Sequence, residues 1–218
     1  VVVTQAAALL WTDGRYFLQA EQELKGSGIA LQKSGEPDVP SFFEYLAETL
    51  PAGSIIAMDG KVISADMFRL FKTKLPDMQF DVSHDLIGEI WHDRPAPVLS
   101  KAFIHELRYT GKSAAEKIAA VRAVLKEKGA DATVIGALED VCYVFNIRGN
   151  DIEATPVVTA YALIDMHNAY LYIDERQMTD TVREALKKEG VTVAAYDAVF
   201  ADAGKLAGTV YLDPARTN

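Results

Sequence analysis

Residues 8–24 read ALLWTDGRYFLQAEQEL and residues 169–186 read AYLYIDERQMTDTVREAL. Each opens on an apolar run of strand length, rich in residues that suit a pleated, half-buried surface. Each then meets an aspartate at a turn, Asp13 and Asp174, and continues with helical spacing. In the first copy Phe17, Ala20 and Leu24 share one helix face, and Glu21 and Lys25 form an i,i+4 pair. Aspartate at such a boundary accepts hydrogen bonds from the free amides of the first helical turn. The unit is strand, turn, helix, and its recurrence points to α/β layers.

Outward from the first copy, Val1–Trp11 is expected to form a hairpin broken at Thr4–Gln5. A strand at 29–32, a helix at 41–50, a strand at 54–58, a helix capped by Ser64 and a strand at 78–82 follow. Asp93-Arg94-Pro95-Ala96-Pro97 reads as a linker, because two prolines in three residues cannot continue a helix or a central strand. This puts a first domain at residues 1–92 and a second at 98–218. Ser113-Ala114-Ala115-Glu116 is a capping box, with Ile118, Val121 and Leu125 as the buried stripe and Gly129 as the stop. Beyond it come a strand at 132–135, a helix or buried run at 138–145, and strands at 156–164 and 169–173 around a His167–Asn168 turn. A helix at 179–188, a strand at 191–195, a helix at 198–206 and a strand at 209–212 complete the reading.

The two halves repeat an order: hairpin, aspartate turn, helix, strand, helix, strand, ending near Asp59 in the first and near Asp213 in the second. The helix and strand over 113–135 have no counterpart ahead of Val1. The helix and strand over 64–82 have none after the second copy. The expectation is a fragment whose first domain lacks its front and whose second lacks its tail, with an open sheet edge that pairs with another chain in a homo-oligomer.

Composition excludes several classes. The net charge of −9 disfavours nucleic-acid binding, which needs clustered Lys and Arg. The Lys-bearing helices are also rich in Glu and read as solvated faces. No apolar run approaches the roughly 20 residues that span a bilayer, and Val1–Leu10 has neither a basic start nor a cleavage pattern. The single cysteine, Cys142, excludes an internal disulfide and fits a reducing compartment.

Catalytic chemistry finds little purchase. His84, His92, His105 and His167 show no i,i+4 pair, no HExxH is present, and the carboxylates form no two-metal constellation. No catalytic residue and no metal ligand is assigned. Cys142 has no base at a recognisable spacing, and Ser64 and Ser113 read as caps. Gly26-Ser27-Gly28 follows a helix rather than a strand, which is wrong for a phosphate loop. Asp13, Arg15, Tyr16, Arg148 and Asp151 remain. They either brace their own loops through charge-assisted hydrogen bonds or present a rim to a substrate.

Trp11-Thr12-Asp13-Gly14-Arg15-Tyr16, Ile90-Trp91-His92-Asp93-Arg94-Pro95 and Asn146-Ile147-Arg148-Gly149-Asn150-Asp151 occur in that order. Together they resemble the Xaa-Pro aminopeptidase family in its long, three-domain cytosolic form, over essentially the whole chain. Tyr143 departs from the family's usual Trp, and Thr155 from its common Asn. The resemblance implies two similar creatinase-N-like mixed-sheet domains with flanking helices, cytoplasmic, preceding a pita-bread catalytic domain that this chain does not contain. That domain would hold two divalent metals, commonly manganese, and cleave peptides with proline at the second position. The front end would gate and position substrate, with Asp13, Arg15, Tyr16, Arg148 and Asp151 as rim candidates. The rival readings are the front of a prolidase-like or creatinase-like hydrolase and a stand-alone peptide-binding or scaffold module.

Overall fold

A computed structural model describes all of residues 1–218. The chain divides into two compact units, Val1–Asp59 with Met67–Leu86, and Gly60–Asp66 with Ile87–Asn218.

In the first unit, β1 (Val2–Val3) turns back onto β2 (Ala8–Thr12) as an antiparallel hairpin, Val3 opposite Ala8. Thr4 closes the hairpin through its backbone amide and its hydroxyl. A 3-10 turn over Gly14–Tyr16 leads into α1 (Phe17–Glu23), which returns the chain to β3 (Ile29–Lys33), parallel to β2. Next come α2 (Phe42–Thr49), β4 (Ile55–Ala57), α3 (Ala65–Lys74) and β5 (Gln79–Asp81), with β4 and β5 parallel. A short α4 (Leu86–Ile90) starts at the last residue of this unit, its other residues belonging to the second. Ser41 and Glu44 close a full capping box on α2, which the sequence reading had not used. The Trp11 indole N–H donates to the Pro40 carbonyl at 2.7 Å, and Trp11, Phe42, Phe43, Phe71 and Phe80 form an aromatic chain, edge-to-face except at the tilted Phe42–Phe43 pair. Yet the buried apolar side chains here are only Leu9, Ala20, Leu46 and Leu75.

The second unit holds the main core. It runs β6 (Phe103–Ile104), α5 (Leu107–Thr110), α6 (Ala114–Lys128), β7 (Ala132–Ile135), α7 (Leu138–Phe145) and β8 (Ile147–Arg148). It continues with β9 (Ala160–Asp165), β10 (Ala169–Ile173), a 3-10 turn over Glu175–Gln177, α8 (Asp180–Lys188), β11 (Thr192–Ala195) and α9 (Ala198–Ala203). The sheet order is β11-β10-β9-β7, mixed, with β10–β11 parallel and the other two pairs antiparallel. One face carries Ala162, Ile164, Leu171 and Ile173 against α6, α7 and α8. The other packs Leu163 and Tyr172 against Val199 of α9. Ser113 and Glu116 form the expected capping box, and Gly129 ends α6 in the left-handed conformation at φ 64°.

Two expectations shift, and one pairing is new. The strand foreseen from Pro156 begins at Ala160, because the preceding residues bond to the Asp151 loop instead. The strand foreseen at 209–212 reduces to a single parallel bridge, Ala132 to Val210, since only β7 flanks it. The short β6–β8 ladder pairs Phe103 with Arg148, a partnership without local signature. No helix is long and apolar enough to cross a membrane.

Candidate functional site

The repeated aspartate turns fold alike. Asp13 caps its 3-10 turn by accepting the Arg15 backbone N–H, while the Arg15 guanidinium grips the same carboxylate through Nε and Nη2, both at 2.9 Å. Asp174 accepts the Arg176 backbone N–H and both arms of its guanidinium in the same way, at 2.8 to 3.0 Å. The motif works because Asp-x-Arg places a bidentate fork opposite a carboxylate already committed to the cap. The guanidinium holds each carboxyl at about 2. Both pairs are exposed, so they shape the turn more than they stabilise the unit. Tyr16 lies half exposed beside the Arg15 guanidinium, 5.5 Å from its ring centroid.

Arg148 and Asp151 serve one loop but are not bonded to each other. The Arg148 Nη1 donates to the carbonyls of Cys142 and Ile147 at 2.9 and 2.7 Å. This puts a cation at the C-terminal end of α7, where it meets the helix dipole favourably. Asp151 is a hub. Its Oδ1 accepts the Ser100 backbone N–H and hydroxyl, and its Oδ2 accepts the Thr159 N–H and the Gln177 side-chain amide, at 2.7 to 2.8 Å. Burial alone would raise its pKa, but these donors outweigh burial and hold it below the ordinary carboxylate value. Gly149 fits here because a Cβ would stand 2.4 Å from Val158 Cγ1 and 2.8 Å from Ser100 Oγ.

Two residues of this assembly escaped the sequence reading. Lys117, on α6, is buried and donates to the Tyr143 carbonyl at 2.8 Å and to Asn146 Oδ1 at 2.6 Å. Its ammonium sits 3.7 Å from the centroid of the Tyr143 ring. Burial, aided by repulsion from Arg148, lowers its pKa. Asn146 itself ends α7 in the left-handed conformation, φ 53°, which Asn tolerates. Gln177 is wholly buried, and its Oε1 has no hydrogen-bond partner. A one-residue pattern offers no signal for either: a lysine in a helix and a glutamine in a turn ordinarily face water.

As to metals, no group of three or more His, Cys, Asp or Glu lies close enough to hold an ion. The donor set of these 218 residues does not fit a metal centre. Cys142 is buried and bonded through its sulfur to the Val158 N–H, and burial raises its pKa, so it is not a poised nucleophile.

Profiles of the creatinase/prolidase N-terminal domain match residues 1–90 and, through a second profile of the same description, residues 93–218. The chain belongs to the creatinase/prolidase N-terminal domain family. Among relatives, aminopeptidase P2 of Arabidopsis thaliana is 35% identical over 225 residues, covering 100% of this chain and 32% of the relative. A probable Xaa-Pro aminopeptidase P of Laccaria bicolor is 38% identical over 216 residues, covering 97% of the chain and 33% of the relative. The solved X-prolyl aminopeptidase of Caenorhabditis elegans, described as a cytosolic enzyme with a di-nuclear active site, superposes with a TM-score of 0.91. It is 31% identical and matches 99% of this chain against 37% of its own. The chain thus spans about a third of the length of these relatives. It corresponds to their N-terminal portion, the two creatinase/prolidase N-terminal domains in tandem, and not to their catalytic part.

Proposed function

We propose that this creatinase/prolidase N-terminal pair serves an Xaa-Pro aminopeptidase as its non-catalytic front, restricting access to a metal-dependent active site and orienting the free amino terminus of a short peptide. The observation that carries this reading is the match along the whole chain to enzymes named Xaa-Pro aminopeptidase and aminopeptidase P. On this reading the substrates have proline second, and two divalent ions, manganese by family habit, sit in the catalytic domain. The parent is cytoplasmic. The domain division is residues 1–92 and 98–218 about the Asp93–Pro97 linker.

Within that role, Arg15 and Tyr16 are the exposed contact candidates, and Asp13 sets their turn. Arg148 and Asp151 hold the second rim loop from behind, since their polar atoms are spent on their own backbone surroundings. The test is hydrolysis of Xaa-Pro peptides by the intact parent carrying Arg15→Ala or Arg148→Ala. A raised KM or lowered kcat/KM at an unchanged melting temperature supports the rim. Unchanged kinetics at both positions removes it.

A further inference from the structure

The second unit holds a cleft of about 340 Å³ whose walls come entirely from residues 104–189. Its floor is apolar, made by Ile104 of β6, Leu107 of α5, Phe145 at the end of α7 and Ala185 of α8. Phe145 is fully buried, whereas Leu107 is 58% exposed and leaves apolar surface at the mouth. Ser113 and Ala114 bring the start of α6 to the cleft, and Lys188 and Glu189 bring the finish of α8. Glu189 ties the two helices together, its Oε2 accepting the Ala115 backbone N–H at 2.9 Å across 74 residues of sequence. The rim is therefore held by a bond between its own walls.

Opposite charges stand on this rim without being spent on each other. Glu184 and Lys188 are both exposed and both line the cleft. They lie one turn apart on α8, where an i,i+4 pair ordinarily meets, yet neither has an ion-pair partner. Oε1 of Glu189 has no protein donor. The Ala114 N–H, the first amide of α6, has no protein acceptor. The cleft thus carries unspent groups of both signs around an apolar floor.

We propose that this cleft binds a free amino acid with an aliphatic or aromatic side chain, held as its zwitterion. The side chain lies on Ile104, Leu107 and Phe145. The ammonium meets the Glu184 and Glu189 carboxylates, and the carboxylate meets Lys188 and the Ala114 N–H. The volume is at the small end of ligand pockets, which suits a molecule of single-residue size. A ligand with only one charge would use only part of the rim, and one without a side chain would leave the floor wet. Such binding requires only this chain, so it stands apart from any part in peptide cleavage.

The test titrates the isotope-labelled chain with leucine, leucinamide, N-acetylleucine and glycine and follows the backbone amide shifts. Leucine should move Leu107, Ala185 and Glu189 and saturate with a Kd on the order of 1 mM. Leucinamide keeps only the ammonium and N-acetylleucine only the carboxylate, so each should bind about fivefold more weakly. Glycine should bind at least about tenfold more weakly, for want of a side chain to bury. Glu184→Gln and Lys188→Met, at an unchanged melting temperature, should each weaken leucine by about fivefold. Unmoved amides at leucine concentrations on the order of 20 mM overturn the proposal. Equal binding of leucine and either singly charged analogue overturns it in favour of a simple ion site. Wild-type affinity in both variants overturns it by placing the ligand elsewhere.

Discussion

The Gln177 side-chain amide donates to Asp151 Oδ2 at 2.8 Å and also to the Ser100 carbonyl at 3.2 Å. Three segments far apart in sequence, the entry to the second unit, the loop after β8 and the turn before α8, therefore meet on one carboxylate. Asp151→Ala should cost about 3 kcal/mol, since it strands buried donors at Gln177 and Thr159. A fall in the denaturant midpoint of the second unit at neutral pH is the measurement.

The same carboxylate makes that unit acid-sensitive. Its folded pKa lies below the unfolded value, so its stabilisation is fully present above about pH 4, where unfolded aspartate ionises, and is lost as pH falls through the folded value. Asp151→Asn should flatten the stability-versus-pH curve below about pH 4 while lowering stability above it. A parallel displacement of the curve would show that Asp151 is not the titrating group.

Gly149→Ala should cost about 2 to 3 kcal/mol. The added methyl meets Val158 and Ser100 from within the packed loop; Ser100 cannot withdraw without releasing the Asn150 N–H and the Asp151 carboxylate, and Val158 is wholly buried. Wild-type stability for this variant would show that the loop yields more easily than its packing implies.

Lys117→Met keeps the apolar stem but removes the donor to Asn146 Oδ1 and the Tyr143 carbonyl, for a cost of about 2 kcal/mol. Lys117→Arg should recover little of it, because a planar fork does not fit a site built around a point charge. Chemical denaturation of the three proteins side by side decides it.

The units should open unequally. The second buries a contiguous core on both faces of its sheet, whereas the first buries four side chains. Native-state hydrogen exchange should find the slowest amides in β9 and β10, with β1, β4 and β5 exchanging well ahead of them.

What the chain made legible was local chemistry. The Ser113–Glu116 box, the Gly129 stop, the aspartate turns and the His167–Asn168 turn are short-range patterns, and the structure has each in its place. What stayed hidden depends on partners distant in sequence. β6 exists because Phe103 lies opposite Arg148, and Lys117 is buried because α7 ends above it. Arg148 and Asp151 stand in one motif, but spacing alone does not reveal that one meets a helix end and the other gathers three segments.

The twofold occurrence of the Asp-x-Arg turn gives the molecule an internal reference. Arg15→Ala and Arg176→Ala remove the same fork from the same backbone geometry within one polypeptide. Whatever differs between the two variants reports surroundings rather than the turn itself, so a role confined to one copy separates from folding without recourse to a second protein.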